Sequence, residues 1–199
     1  MNYNDILFLS GDIGLSTDNS ILGKLIRWGQ SVWTRKAKYS HAWVFISASF
    51  IIEALVKITL SDKNKYSNQK IQVYRIPLTL NERFNFCAGM DDRRDGAYGW
   101  DKYPLFAADA ITTWIKRTIF RSNTPCFFFT KTFGVSNIPV CSELVVWGLY
   151  KFTSYKLKDD LEQIVDWRIV TPDYLYDLLQ LPINQATLIY ENPSKELQP

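Results

Sequence analysis

Three residues of this chain could together carry out nucleophilic chemistry near neutral pH: its only histidine, His41, the glutamate Glu53 in an apolar run, and Cys141. An imidazole can take and return a proton near pH 7, a thiolate can attack a carbonyl carbon, and a carboxylate can fix the tautomer of the imidazole. Because there is one histidine, any imidazole catalysis belongs to His41. Its setting, Tyr39-Ser40-His41-Ala42-Trp43-Val44-Phe45-Ile46, reads as a strand, where a lone histidine is more often a satisfied structural residue.

Cys141 opens the run Cys141-Ser142-Glu143-Leu144-Val145-Val146-Trp147-Gly148-Leu149-Tyr150 just after Pro139, so it falls in the first turn of an expected helix. There, unpaired backbone N–H groups and the positive end of the helix dipole favour thiolate over thiol, and the same N–H groups can receive the oxyanion of a tetrahedral intermediate. Cys87, inside an expected helix face, and Cys126, beside Phe127-Phe128-Phe129, lack this setting and read as small core hydrophobes. The plain alternative for Cys141 is a buried cysteine at the start of a core helix.

Glu53 depends on strand register. A three-residue connection Ser47-Ala48-Ser49 pairs Ile46 with Phe50 and therefore Trp43 with Glu53, leaving His41 and Glu53 as diagonal neighbours on one face, roughly 7–8 Å apart at the backbone. A two-residue connection would send Glu53 to the other face. A carboxylate among Phe50, Ile51, Ile52, Ala54 and Leu55 is costly unless paired, so the choice lies between an imidazole partner and the wet face of an edge strand.

The elements that must position these residues follow from periodicity and capping. Asn4-Asp5-Ile6-Leu7-Phe8-Leu9 reads as a short buried strand, followed by a Gly- and Asp-rich loop through Asn19. Ser20 caps an expected amphipathic helix carrying Ile21, Leu22, Leu25, Ile26, Val32 and Trp33. Strands are expected over 41–46, 50–55 and 71–76, making a small antiparallel sheet. Thr79 with Glu82 is a capping-box pattern that predicts a helix from Leu80 to about Met90; a third helix covers 105–119, and Thr171-Pro172-Asp173 begins a last one. The tail 192–199 is expected to fray, leaving residues 1–191 as a single domain.

Composition narrows the class. A chain of 199 residues that is 47% hydrophobic and 15% aromatic can bury a sizeable core. No apolar stretch is long enough to span a membrane and the N-terminus has no signal-peptide pattern, so the expectation is a soluble, cytoplasmic protein. Three cysteines without paired spacing, and one histidine, do not make a zinc site, so reduced thiols and no metal or other cofactor are expected. The net charge of +3 is small, and Arg35, Lys36 and Lys38 read as a solvated loop rather than a nucleic-acid track.

Taken in order, Asp5-Ile6-Leu7, Leu22-Gly23-Lys24-Leu25-Ile26-Arg27-Trp28-Gly29, Tyr39-Ser40-His41, Ile52-Glu53-Ala54, Tyr98-Gly99-Trp100 and Cys141-Ser142-Glu143-Leu144-Val145 resemble the circularly permuted NlpC-type, papain-like cysteine amidohydrolases. The likeness is to the YiiX-like branch, with lecithin retinol acyltransferase more distant, and runs from about Asn4 to about Leu179. It implies an α+β domain with a papain-like core, in which a small antiparallel sheet is flanked by helices. It also implies a Cys141, His41, Glu53 catalytic set, with the histidine preceding the cysteine in the chain. Tyr98 and Trp100 fall at the family's aromatic motif near the cleft, and with Ser142 they are the expected substrate contacts. Tyr98 would donate to substrate or oxyanion, or both aromatics would pack as walls. Asn4 departs from the family's usual glycine, and the region from Ala107 to Val140 matches no known motif; it reads as a core helix and buried strand, or as an aromatic flap over an acyl groove.

The resemblance implies hydrolysis of an amide, isopeptide or ester bond in a cell-wall peptide or a lipid-linked substrate. The alternatives are a lipid-processing acyltransferase in peripheral contact with a membrane, and a non-catalytic binding module on the same fold.

Overall fold

The computed structural model describes residues 3–32, 37–55, 57–96, 102–121 and 141–192. Among them are a six-stranded, wholly antiparallel sheet and five α-helices, an α+β arrangement. The strands are β1 (Ile13–Thr17), β2 (His41–Phe45), β3 (Phe50–Ala54), β4 (Ile58–Asp62), β5 (Lys70–Arg75) and β6 (Thr187–Asn192), and they lie in the order β4-β3-β2-β1-β5-β6. The helices are α1 (Ile21–Ser31), α2 (Leu80–Asp91), α3 (Lys102–Phe120), α4 (Cys141–Phe152) and α5 (Pro172–Gln180). No helix among the described residues is long and apolar enough to cross a membrane.

Alternation along the strands divides the core. Ala42, Val44, Ile52 and Ala54 face a cluster completed by Phe86, Met90, Leu144, Val145 and Leu149 of α2 and α4. Trp43, Phe45, Ile51 and Val73 face the other way, onto Tyr3, Phe8 and Tyr66. Helix α4 lies against β2 and β3, with α2 packed on α4. Gly148 makes the second contact close: a Cβ there would stand 2.5 Å from Met90 Sδ and 2.7 Å from the Phe86 ring.

The capping chemistry behaves as the sequence suggests. Ser20 Oγ accepts the Gly23 N–H at the start of α1, Thr79 and Glu82 form a reciprocal capping box on α2, and Thr171 Oγ1 accepts the Tyr174 N–H on α5. The expected helix over 105–119 is present as α3.

The first strand is displaced from its expected place. Residues 4–9 hold no strand; a single 3-10 turn, Tyr3–Asp5, leads into an irregular segment anchored by buried Tyr3 and Phe8, while Leu7 stands in solvent. The strand is β1, inside the stretch that reads as a loop, and it is a central one. Two glycines there look alike in sequence and act differently. Gly11, at φ +85°, makes the turn, whereas Gly14 is an extended strand residue whose missing Cβ admits the Trp43 indole, which a Cβ would approach to 2.1 Å. Buried Asp12 fixes the start of β1, bonded to Arg75 at 2.8 Å and 3.0 Å, to Arg83 at 3.4 Å and to the Leu9 N–H at 2.8 Å.

The sheet is also larger than expected by β4 and β6. Asn192 does not fray: it ends β6, and its amide donates to the Ser67 and Gln69 carbonyls at 3.0 Å and 3.2 Å. Residues 193–199 lie outside the described residues.

Candidate active site

The hairpin β2–β3 takes the three-residue connection, with Trp43 opposite Glu53, Val44 opposite Ile52 and Phe45 opposite Ile51. His41 and Glu53 therefore share a face, and their side chains close the diagonal: His41 Nε2 lies 2.9 Å from Glu53 Oε2. Glu53 is completely buried, and β3 is an interior strand between β2 and β4, so the wet-edge reading fails.

His41 is held at the start of β2 from several sides. Ser40 N–H donates to Ser16 O of β1 at 2.9 Å, and Ser40 Oγ accepts the Asp18 N–H at 2.8 Å. Gln30 of α1 donates to the Tyr39 carbonyl at 3.0 Å and accepts the Asp173 N–H of α5 at 2.9 Å. Asp173 in turn accepts the Lys38 N–H at 2.6 Å. These bonds fix the backbone that leads into His41.

Glu53 is the hub of the site. Besides His41 it accepts from Ser61 Oγ at 2.6 Å, from Lys65 Nζ at 2.5 Å, and from the Tyr66 hydroxyl. Burial by itself would raise its pKa, yet His41, Lys65 and Ser61 hold the carboxyl down to about 2. Tyr66 stays a neutral donor because burial, and then the Glu53 charge, push its pKa upward. Its ring stacks on Trp43 at 4.5 Å and lies 5.4 Å from the imidazole, walling the pair from water.

Cys141 is the first residue of α4 and is buried. His41 Nε2 is taken by Glu53, and the Cys141 thiol lies near enough to the ring to act on its protonation. Burial alone would lower the imidazole pKa; the influence of Cys141 and the bond to Glu53 outweigh it and carry the ring up to about 9. The structure thus brings His41 and Glu53 together from β2 and β3, and puts Cys141, at the head of α4, within electrostatic reach of the ring.

The expected substrate contacts fare differently. Ser142 is buried, and its hydroxyl donates to the Val170 carbonyl at 2.6 Å, so its side chain locks the start of α4 and only its backbone remains to offer a ligand. Tyr98 and Trp100 lie outside the described residues, as does most of the stretch from Ala107 to Val140 beyond α3.

Comparison with known proteins is informative at the level of fold. No family model and no curated protein matches this chain. Among solved structures, a crystal structure of metalloprotein yiiX from Escherichia coli O157:H7 superposes with a TM-score of 0.55 at 12% identity, over 94% of this chain and 99% of that one. At that identity the likeness shows a shared fold alone. The name of that protein speaks of a metal; among the described residues here, no group of three or more His, Cys, Asp or Glu side chains could hold one. His41 bonds to Glu53, and a Lys65 ammonium already neutralises that carboxylate.

Sequence reasoning missed Ser61, Lys65, Tyr66 and Asp18. The first three sit in Ser61-Asp62-Lys63-Asn64-Lys65-Tyr66, a polar cluster that reads as a strand boundary. Asp62 in fact caps a 3-10 turn, accepting the Asn64 N–H at 2.8 Å, and that turn swings Tyr66 under the sheet. The available signal was the Asx cap followed by a tyrosine. Asp18 lies close enough for the imidazolium to help lower its pKa, together with Ser20 and Arg27 and against the effect of burial.

Proposed function

We propose that this chain is a cysteine hydrolase of amide, isopeptide or ester bonds, built on a circularly permuted, NlpC-type papain-like core. Cys141 is the nucleophile, His41 the acid and base, and Glu53 the residue that orients His41. One observation carries this reading: a buried imidazole held on Nε2 by a charge-stabilised carboxylate, its protonated form favoured further by a thiol at a helix N-terminus.

In the reaction, the thiolate of Cys141 forms a C–S bond to the carbonyl carbon, and the carbonyl π electrons move onto oxygen. Backbone N–H groups at the start of α4 receive that charge. When the intermediate collapses, the C–N or C–O bond breaks and the His41 imidazolium gives its proton to the leaving group. His41 then takes a proton from water, which attacks the thioester, releases the carboxylic acid and restores Cys141. Glu53 keeps the ring aligned through both transfers and stays ionised. If an alcohol or amine replaces water in the second half, the same site is an acyltransferase. Peptide or lipid-linked substrates fit this chemistry, and a reducing compartment such as the cytoplasm suits a working thiol.

The test uses p-nitrophenyl acetate as a generic acyl donor. The expected result is a burst of nitrophenolate with an acetyl group located on Cys141 by peptide mass spectrometry, absent in Cys141→Ala and slowed in His41→Ala. Full turnover by Cys141→Ala would overturn the mechanism, and no adduct on a folded protein would favour a binding module.

A further inference from the structure

Two neighbouring helices leave apolar side chains in solvent. On α1, Ile21, Leu25 and Trp28, spaced i, i+4, i+7, are each more than half exposed, and on α3 so are Ile111, Trp114 and Ile119. The two helices pack against each other. Spacing of this kind marks one stripe along each helix, and a soluble monomer rarely leaves so many large side chains in water without a use.

The charges that α1 and α3 themselves present to solvent have one sign. Helix α1 contains no acidic residue, and the only acid of α3, Asp109, is fully buried. Lys24, Lys116 and Arg121 are exposed. An apolar stripe with Trp and a cationic border is the chemistry of a helix lying in a bilayer interface: aliphatic side chains enter the acyl boundary, indoles sit at headgroup depth, and Lys and Arg meet anionic phosphates. A second copy of this chain laid on the same face would set these cations against one another. A third exposed apolar pair, Leu80 and Phe84 on α2, has Glu82 in its midst and lacks the cationic border.

We infer that the α1–α3 face docks on the surface of an anionic phospholipid bilayer. Docking does not depend on the thiol chemistry. It bears on that chemistry through the chain itself: Ser20 caps α1, and Asp18, two residues earlier, donates its N–H to Ser40 Oγ at 2.8 Å, so the N-terminal end of the docked helix is tied to the start of the strand that carries His41.

Co-sedimentation of the full chain with vesicles of phosphatidylcholine alone, or mixed with phosphatidylserine, tests this. The expected result is binding to the mixed vesicles that weakens with salt. Each of Lys24→Glu, Lys116→Glu and Arg121→Glu should lower the partition coefficient about fivefold or more. The pair Trp28→Ser and Ile119→Ser should lower it about tenfold or more, while Leu80→Ser with Phe84→Ser leaves it unchanged. Circular dichroism confirms that each variant is folded, and Cys141→Ala should sediment like the parent, which separates this result from the hydrolase test. No sedimentation with either vesicle, sedimentation indifferent to the α1 and α3 variants, or a homodimer that those variants dissolve would overturn the inference.

Discussion

Two thiols in this protein are almost equally hidden from solvent and face opposite chemistry. Cys87, in α2, is 9% exposed and Cys141, at the head of α4, is 5% exposed, so access alone would make Cys87 the more reactive of the two. The Cys87 sulfur faces the Phe45 carbonyl at 3.6 Å, and burial pushes its thiol up to about 11 against the pull of the Gly11 backbone and Arg83. Cys141 faces an imidazole whose cationic form is held by Glu53. Burial makes a cysteine inert only when nothing beside it stabilises the sulfur as an anion; the partner, not the depth, separates these two sites.

The strongest way to break the comparison is to remove the charge on which it rests. Glu53→Ala leaves His41, Ser61 and Tyr66 without their buried acceptor, and should destabilise the fold by about 3–5 kcal/mol in urea. The intact site should also leave a signature in stability against pH. His41 is held from its ordinary 6.5 up to about 9, so the stability from its protonation is complete below about 6.5 and lost as pH rises through about 9. Glu53 is held from 4.5 down to about 2, so its contribution is complete above about 4.5 and lost as pH falls towards 2. Stability should therefore be greatest between these limits, and its alkaline decline should vanish in His41→Ala. An unchanged decline in that variant would mean that the imidazole is not the group responsible.

A smaller effect sharpens the contrast directly. Since His41 stays cationic up to about pH 9, it faces the Cys141 sulfur as an imidazolium at pH 6.5, where a free thiol is only about 1% ionised. Iodoacetamide should then label Cys141 on the order of 100-fold faster than it labels Cys87 in the native protein, with peptide mass spectrometry separating the sites. His41→Ala should remove most of that advantage at pH 6.5 and little of it well above pH 9. Equal labelling of both thiols would show that depth governs after all.

Much of this site can be read in the sequence because its parts are local. The Ser47-Ala48-Ser49 connection sets a register, the register puts Glu53 on the His41 face, and Pro139 with an apolar run places Cys141 at a helix start. What escaped needed long-range information. Gly14 looks like a loop residue until Trp43 is laid across it, and Asp12 looks like loop polarity until Arg75 and Arg83 close on it. β6 pairs with β5 across most of the chain length, and Tyr66 reaches Glu53 only after a 3-10 turn. Local periodicity is blind to such partners.

The smallest expected effect belongs to Cys87→Ala. Deleting one sulfur from a packed helix face should cost about 1 kcal/mol, and the Sγ contact with Phe45 O is too weak to add much. Yet Phe45 lies on β2, the strand that carries His41, so the substitution asks whether the two thiols are coupled through that strand. The backbone of β2 is held on both edges, by β1 at Ser16–His41 and by β3 at Trp43–Glu53, and the imidazole is tied to Glu53 rather than to the far end of the strand. A small relaxation at Phe45 therefore has no path to the ring, and the cost of Cys87→Ala should add to that of Tyr66→Phe within about 0.5 kcal/mol. The pH profile of Cys141 labelling should remain as it is in the parent. A profile displaced by Cys87→Ala would make the inert thiol a positioning residue for the reactive one.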